Sequence, residues 1–440
     1  LRSGGSAFFS DLASALMGRS RGGAAKIGVC ASALFGSISG SAVANVASTG
    51  VITIPLMRQS GYKRHVSAAI EAVASTGGQI MPPIMGAAAF LMAELLGVSY
   101  GEVVLAAILP AILYYFAVFI AADLEAARQG IGQLEEAEIP RLGKVLKGGW
   151  YFPIPFAVLI IALFGWNLTP ATAGLYAALC IIFLGLFLSY RGTRLRPGDV
   201  LEAVKVTGQS SVQIVVIGAV AGIIIGIVEV TGLSFGLTFV LVQLGENSLL
   251  LLLFLTAGVC IILGMGMPTT AIYFLLATLA APPLIQLGVE PMAAHMFVLY
   301  FGLMSMITPP VALAAFTAAN LAGADPMRTS LAALRFGWPG LVVPFLFVFG
   351  PSLLLYGTLL QVSLAAVTAL GGIWMASAGI AGYLAHPLTP FTRTALTAGG
   401  LALMVPAEAF AGAWIVEVCG AVLCVFLVAR LMGRNVSALS

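Results

Sequence analysis

The sequence predicts an all-α polytopic membrane protein made of inverted repeats, each with a re-entrant helical hairpin and a broken transmembrane helix. Three observations predict it: a composition too apolar for a water-exposed surface, basic residues that alternate between loops, and one hairpin-plus-double-proline pattern that occurs twice. Of 440 residues, 60% are hydrophobic and 8% are charged, against about 25% charged in an ordinary globular domain. At roughly 20 apolar residues per crossing, the length admits at most about 14 spans. Cys30, Cys180, Cys260, Cys419 and Cys424 lie in apolar stretches without CxxC spacing or nearby histidines. They read as packing residues, not as a disulfide or zinc framework. A soluble enzyme and a nucleic-acid binder are excluded on the same composition.

The plain spans are Val103–Ala122, Trp150–Trp166, Ala171–Tyr190, Ser210–Val230, Phe336–Tyr356 and Ser363–Leu384. Four apolar stretches are interrupted: Ala24–Pro55, Val66–Leu96, Ser248–Leu287 and Met292–Leu321. Basic residues cluster at Arg19/Arg21/Lys26, Arg58/Lys63/Arg64, Arg128/Arg141/Lys144/Lys147, Arg191/Arg194/Arg196/Lys205, Arg328/Arg335, Arg393 and Arg430/Arg434, while the intervening loops carry none. Positively charged loops stay cytoplasmic. Ala24–Pro55 is then bracketed by cytoplasmic loops and Ser248–Leu287 by outer ones, so each enters and leaves on one face. Two short full spans would do the same; the short arms and the helix breakers at each tip favour re-entrant hairpins, which need cover from protein or a water-filled cavity.

The first tip reads Gly36-Ser-Ile-Ser-Gly-Ser-Ala-Val-Ala-Asn45 and the second Gly264-Met-Gly-Met-Pro-Thr-Thr270. Each is followed by a span broken at a double proline, Ser75-Thr-Gly-Gly-Gln-Ile-Met-Pro-Pro-Ile84 and Ser305-Met-Ile-Thr-Pro-Pro-Val311. Aligning Ile80 on Ile307 superposes the proline pairs; Gly40 lies 42 residues before Pro82 and Gly266 lies 43 before Pro309. Inverted repeats with interrupted helices point to a secondary transporter's midplane site. A helix that stops in mid-membrane leaves unpaired N–H and C=O groups, each costing several kcal/mol in hydrocarbon unless something polar occupies the break. Carbonyls and hydroxyls there suit a hard cation such as Na+, and half-helix N-termini suit an anion.

Four units follow: residues 1–122 (first repeat, hairpin 24–55, broken span 66–96), a cytoplasmic arm at 123–149, residues 150–356 (scaffold spans 150–230, hairpin 248–287, broken span 292–321) and a transmembrane extension at 357–440. Three spans precede the second hairpin but only some 23 residues precede the first. Ala7–Gly18 reads as a surface-lying amphipathic helix. With no initiating Met, the chain reads as the C-terminal portion of a longer protein whose missing part holds at least three scaffold helices.

The two tips and the Ser-Thr-Gly-Gly-Gln-Ile-Met-Pro-Pro run resemble the large membrane subunit of tripartite ATP-independent periplasmic (TRAP) transporters. The wording of that run and the apolar C-terminus are most similar to the TAXI subclass, whose small and large membrane subunits are usually fused. The resemblance covers roughly Ala7 to Tyr356. It implies an elevator-type importer in a bacterial or archaeal inner membrane, driven by sodium, taking a small organic anion such as a dicarboxylate or glutamate from a periplasmic binding protein. One sodium site maps onto Ser37, Ser39, Gly40, Asn45, Thr76, Gly77 and Gly78. The other maps onto Gly264, Met265, Gly266, Met267, Thr269, Ser305, Met306 and Thr308. Substrate maps near Ser41, Thr270 and Pro309. The small membrane subunit is an implied partner, and no cofactor is expected beyond sodium as coupling ion. Protons are the alternative coupling ion within the subclass.

Other residues have two readings each. Glu71, Glu94, Glu229 and Glu417 lie in or near apolar segments, where an ionisable side chain is a functional candidate. All but Glu417 fall near span ends, where interfacial snorkelling reads equally well, and Glu71 is the candidate proton carrier. Gly218, Gly222 and Gly226 form a small-residue packing stripe. His65 and His386 neighbour cytoplasmic basic loops and read as solvated, and His295, which opens the second broken span, reads as a polar end residue. The arm Asp123–Lys147, with Glu135, Glu136 and Glu138, reads as a solvated linker helix. Thr394–Leu431 crosses once or twice. The competing functions are a carboxylate transporter that needs no binding protein, and an intramembrane enzyme; the second lacks converging carboxylates or a buried His pair. The topology is directly testable: a cysteine placed at Gly288 is expected to react with an impermeant thiol reagent from outside, and one at Gly61 only from inside. Labelling of both from one face would end the inverted-repeat reading.

Overall fold

A computed structural model describes residues 2–437 except 137–138, 167, 233–234, 237, 241–242 and 244–247, and leaves undescribed the side chains of 210, 213–214, 217, 221, 224–225, 228–229 and 432–437. Asn167, Glu138, Glu229, Arg434 and part of the Thr231–Gly236 loop therefore lie outside the described residues. Everything described is helix and connecting loop apart from the antiparallel pair Ser189–Tyr190 with Thr193–Arg194 and a single bridge between Tyr383 and Pro387. By length and apolarity, six described helices suffice to cross a membrane, or up to seven if a bent pair counts as one span.

The first hairpin is Gly23–Ser39 and Ala42–Gln59, and its two-residue tip follows from capping chemistry. Gly40 closes the first arm at φ 61° and its N–H donates to the Gly36 carbonyl, a conformation that suits a residue without Cβ. Ser41 opens the second arm as its N-cap, accepting from the Ala44 N–H at 3.4 Å. Next comes the first broken span: helix Arg64–Gly77, a 3-10 turn Gly78–Ile80, an irregular stretch, then helix Ala87–Leu96. At 1.5 Å per residue these halves are about 21 and 15 Å long, each too short for a bilayer. Pro82 and Pro83 cannot donate backbone hydrogen bonds, so helix cannot run through them. A capping box at Ser99 and Glu102 then starts the long helix Tyr100–Gln129.

The second half repeats the order. Helices Leu249–Gly264 and Thr269–Leu279, extended by Ala281–Gln286, form its hairpin, and Pro291–Met304 and Leu313–Ala322 its broken span. Both proline pairs, Pro82-Pro83 and Pro309-Pro310, have cis peptide bonds. The two broken spans lie side by side: Arg64–Gly77 packs on Leu313–Ala322, and Ala87–Leu96 on Pro291–Met304 and Thr269–Leu279.

Several boundaries differ from the sequence reading. The expected span Phe336–Tyr356 is Pro326–Phe336 plus Pro339–Phe349, and the following turn Pro351–Leu354 is 3-10. Ser210–Val230 is the second part of a 34-residue helix, Pro197–Val230. A Cβ added at Gly218, Gly222 or Gly226 would meet nothing within 4 Å, so that stripe has no packing partner among the described residues. Trp150–Trp166 is a short helix Pro153–Ile160 ending in a π turn, bent by 61° from Leu142–Gly149. The N-terminal helix Gly5–Met17 buries one face: Phe8 stacks on Phe152 at 4.9 Å and meets Tyr190 edge-on at 5.7 Å, while Leu16 is exposed. Thr394–Leu431 resolves into two helices, Pro390–Leu403 and Ala413–Ser437.

The arm assigned to 123–149 is also shorter than expected, because the long helix runs through Gln129 and holds Asp123 and Glu125 in the body of the protein. Asp123 pairs with Lys26 at 2.7 Å and with Arg21, tying the helix to the first hairpin. Glu125, wholly buried, pairs with Arg128 at 2.8 Å and with Arg335 of the other half. Lys26 also lies 4.9 Å over the Phe119 ring. Glu125→Ala is expected to destabilise the protein by about 2–3 kcal/mol, below the roughly 3–5 kcal/mol of a fully buried pair because both arginines keep some water. A thermal-melting series in detergent would check it, and an unchanged midpoint would show that the pair does not join the halves.

Candidate functional site

The site is organised by backbone that approaches backbone. A Cβ on Gly78 would lie 2.4 Å from the Cα of Gly36, and one on Gly36 would lie 2.6 Å from the Cα of Gly78 and 2.7 Å from Asn45 Nδ2. One helical turn up the arm, a Cβ on Gly40 would lie 2.7 Å from the Gly86 Cα. The first hairpin thus rests its tip directly on the break of the first span. In the second half the contact is smaller: a Cβ on Gly264 would come within 2.7 Å of Ser305 Oγ. Gly266 takes φ 78° at that tip, with Val311 its nearest neighbour.

Around the first break, Asn45 is fully buried and donates from Nδ2 to the Ser32 carbonyl at 2.9 Å. Ser37 donates to the Leu34 carbonyl at 2.9 Å and Thr76 to the Ala72 carbonyl at 2.8 Å. Ser39 Oγ is buried and has no hydrogen-bond partner among the described residues. In the second half Ser305 donates to the Gly302 carbonyl at 2.6 Å and Thr308 to the Met304 carbonyl at 2.7 Å. A hydroxyl that donates to its own helix keeps its lone pairs. These side chains therefore present acceptor oxygens, the chemistry a hard cation takes.

Two residues assigned to these clusters also reach other elements. Gly77 faces the long helix instead of the hairpin, with a Cβ there only 2.4 Å from Tyr114 Cε1. Tyr114 and Tyr115 in turn donate to the Val73 and Ala74 carbonyls, at 2.9 and 2.8 Å. Thr269, expected beside Ser305, donates across the molecule to Gln79 Oε1 of the first broken span. Gln79 is 3% exposed and also donates to Met306 Sδ at 3.7 Å, which Thr269 approaches at 3.8 Å. Met265 caps the end of its arm, and Met267 lies partly buried against the core. Ser41 is spent on its cap, Thr270 sits in the first turn of Thr269–Leu279, and Pro309 in the break. Among the described residues none of these three hydrogen-bonds to another. A cavity of about 500 Å³, lined by Phe9, Phe35, Ile38, Pro83, Phe90 and Phe152 among others, is apolar, and its lining includes none of those three residues.

Sequence reasoning missed Gln79 as a link, although it stood inside the quoted motif as an amide between two glycines and a double proline. The placement of Glu71 was also missed. It is 0% exposed and accepts from Ser32 (2.8 Å), Thr49 (2.5 Å), Thr53 (2.5 Å) and Ser75 (3.1 Å). It does not snorkel. Glu94, by contrast, is exposed as an interfacial residue would be. His295 is buried and joins Tyr273 through Nδ1 at 2.7 Å, linking the second broken span to the second hairpin.

Residues 1–362 match the family model described as "Tripartite ATP-independent periplasmic transporter, DctM component". The chain belongs to this TRAP transporter family. It is 30% identical over 306 residues to the putative TRAP transporter large permease protein of Haemophilus influenzae, covering 68% of this chain and 69% of that one. It is 27% identical over 341 residues to the C4-dicarboxylate TRAP transporter large permease protein DctM of Pseudomonas aeruginosa, covering 77% of each. The isethionate TRAP transporter permease protein DctMQ of Oleidesulfovibrio alaskensis is 26% identical over 328 residues, 74% of this chain and 50% of that protein. As a TRAP permease the chain is a membrane-embedded transporter and not an enzyme. The region beyond residue 362, where the C-terminal helices lie, falls outside the matched segment.

The glycine contact makes a sharp stability prediction. Gly78→Ala and Gly36→Ala put a methyl group against backbone that cannot rotate away, and overpacking of this kind costs about 1–3 kcal/mol. Gly174→Ala, where a Cβ meets nothing within 4 Å, is the control and is expected to be neutral. Equal melting midpoints for all three variants would show that hairpin and broken span do not touch through their backbones.

Proposed function

We propose that this TRAP permease imports a small organic anion, handed over by a periplasmic binding protein, using a sodium gradient and an elevator-like movement. The observation that carries the reading is the meeting of the two interrupted spans at one place, where Gln79 donates to Met306 Sδ at 3.7 Å and accepts from Thr269 of the second hairpin. Helix ends inside a membrane need polar company, and both breaks are furnished with acceptor oxygens and little else.

Sodium would lie at the first break, among Ser37, Ser39, Gly40, Asn45, Thr76 and Gly78, and at the second, among Gly264, Met265, Gly266, Met267, Ser305, Met306 and Thr308. The unpartnered Ser39 Oγ is the clearest invitation to a cation in the first set. Gly77 and Thr269 would act indirectly, one by seating the break on Tyr114 and the other by holding Gln79. The anion would lie near Ser41, Thr270 and Pro309, where helices Ala42–Gln59 and Thr269–Leu279 begin and offer the positive ends of their dipoles. Relatives named for C4-dicarboxylate, isethionate and sialic acid support an organic anion as the substrate class. The Ser75–Pro83 wording and the C-terminal helices beyond the matched segment support the TAXI subclass. The DctMQ name of one relative supports a small membrane subunit as the further partner, in an inner membrane.

The test is uptake of labelled dicarboxylates and amino acids into proteoliposomes, with and without sodium and an added binding protein. Ser39→Ala and Thr269→Ala are expected to lose sodium-dependent uptake while inserting normally into membranes. Sodium-dependent uptake unchanged in both variants would overturn the site assignment, and full uptake without a binding protein would overturn the partner.

A further inference from the structure

Glu71 stands apart from both proposed sodium sets and from the anion position, and its surroundings are unusual for a carboxylate. All four hydrogen bonds it receives come from hydroxyls: Ser32 on the first hairpin arm, Thr49 and Thr53 on the second, and Ser75 one turn further along its own helix. The charged and titratable groups on the elements around it are otherwise engaged or turned away. Lys26 on the first arm pairs with Asp123, and Arg58 lies at the far end of the second arm. On its own helix Arg64 reaches the Gly323 carbonyl, and His65 is more than one turn away. Tyr114 and Tyr115 on the long helix donate to backbone carbonyls. On Pro326–Phe336, Arg335 pairs with Glu125, and Arg328 lies in the first turn. Cys30 is the remaining titratable neighbour on the first arm, and Leu313–Ala322 carries none. No cation therefore balances the Glu71 charge among the described residues, and a lone buried carboxylate is costly.

We propose that Glu71 is a proton-binding site of the transport cycle, a carboxyl group that gains and loses a proton as the first hairpin loosens from and seats on its broken span. This goes beyond the sodium sites but rests on reading the chain as a transporter. The geometry favours a proton over a metal ion. The hydroxyl oxygens touch the carboxylate oxygens directly at 2.5–3.1 Å, and a bound cation would have to part them. The cage also accommodates both charge states without moving a heavy atom. Thr49 Oγ1 lies 2.9 Å from the Asn45 carbonyl and Thr53 Oγ1 lies 3.1 Å from the Thr49 carbonyl. When a proton adds to the carboxylate, one of these hydroxyl hydrogens swings to its backbone carbonyl, and the freed oxygen accepts the new carboxyl O–H. The change is transmitted upward, because Thr49 Oγ1 lies 3.2 Å from Asn45 Oδ1, a further acceptor for the same hydrogen, and Asn45 borders the Gly36–Gly78 contact.

The test combines a spectroscopic and a transport measurement on the full chain. Infrared difference spectra of the purified protein between alkaline and acidic buffer are expected to show a protonated-carboxyl band that disappears in Glu71→Gln and returns in Glu71→Asp. In proteoliposomes, Glu71→Gln is expected to lose accumulation driven by an inward proton gradient while still exchanging substrate at equilibrium. A band that persists unchanged in Glu71→Gln, or proton-driven accumulation equal to that of the parent protein, overturns the proposal. If the parent protein carries no organic anion at all, the transporter reading fails by itself, and the spectra still decide whether Glu71 takes the proton.

Discussion

Contact between the Gly36 and Gly78 backbones is the constraint on which the rest of the molecule depends. Two helices can come this close only where neither carries a Cβ, and only if nearby polar groups receive help that a bilayer does not give. The surrounding sequence supplies that help locally. Asn45 fills the corner between the two glycines, Ser37 and Thr76 return their protons to their own helices, and Tyr114 and Tyr115 brace the carbonyls just before the break. Farther out, Asp123 and Glu125 fasten the long helix to the hairpin and to the opposite half.

Electrostatics in this protein are correspondingly sorted by depth. Ion pairs such as Lys26–Asp123 and Arg335–Glu125 sit at the basic ends of the helices, where some water remains. Nearer the breaks, the polar chemistry is almost wholly neutral: amides, hydroxyls and backbone carbonyls. Glu71 is the exception, and four hydroxyls surround it where a salt bridge would be expected of a soluble protein. If the proposed sodium sites lie at the breaks, neutral ligands would suit them, because an ion held by full charges leaves slowly while one held by dipoles is bound and released at moderate cost.

Much of this architecture was readable from residues alone, since its strongest determinants are short-range. Gly40-Ser41 specifies an arm end followed by an arm start, and Pro82-Pro83 forbids helix wherever it stands. The repeat was visible because the same breakers recur at the same spacing. What was not readable depends on which face a residue turns, and that is decided by packing. Gly77 and Gly78 are adjacent and chemically identical, yet one meets Tyr114 and the other Gly36. Glu71 looked like an interfacial residue by its distance from Arg64, and only the hydroxyls brought by a separate hairpin reveal it as enclosed. The Asp123–Glu125 segment looked like a solvated arm because charge density marks loops. Its partners, Lys26 and Arg335, lie far away in sequence. Gly218, Gly222 and Gly226 had the right period for packing and meet no neighbour within 4 Å among the described residues.

The touch between Gln79 and Met306 has a further meaning. Superposing Ile80 on Ile307 makes these two residues counterparts in sequence, and in space Gln79 donates to Met306 Sδ at 3.7 Å. Two unlike groups meet there, one a strong donor and acceptor and the other a soft, weak acceptor. The bond between them can therefore run in one direction only, from the earlier half of the chain to the later.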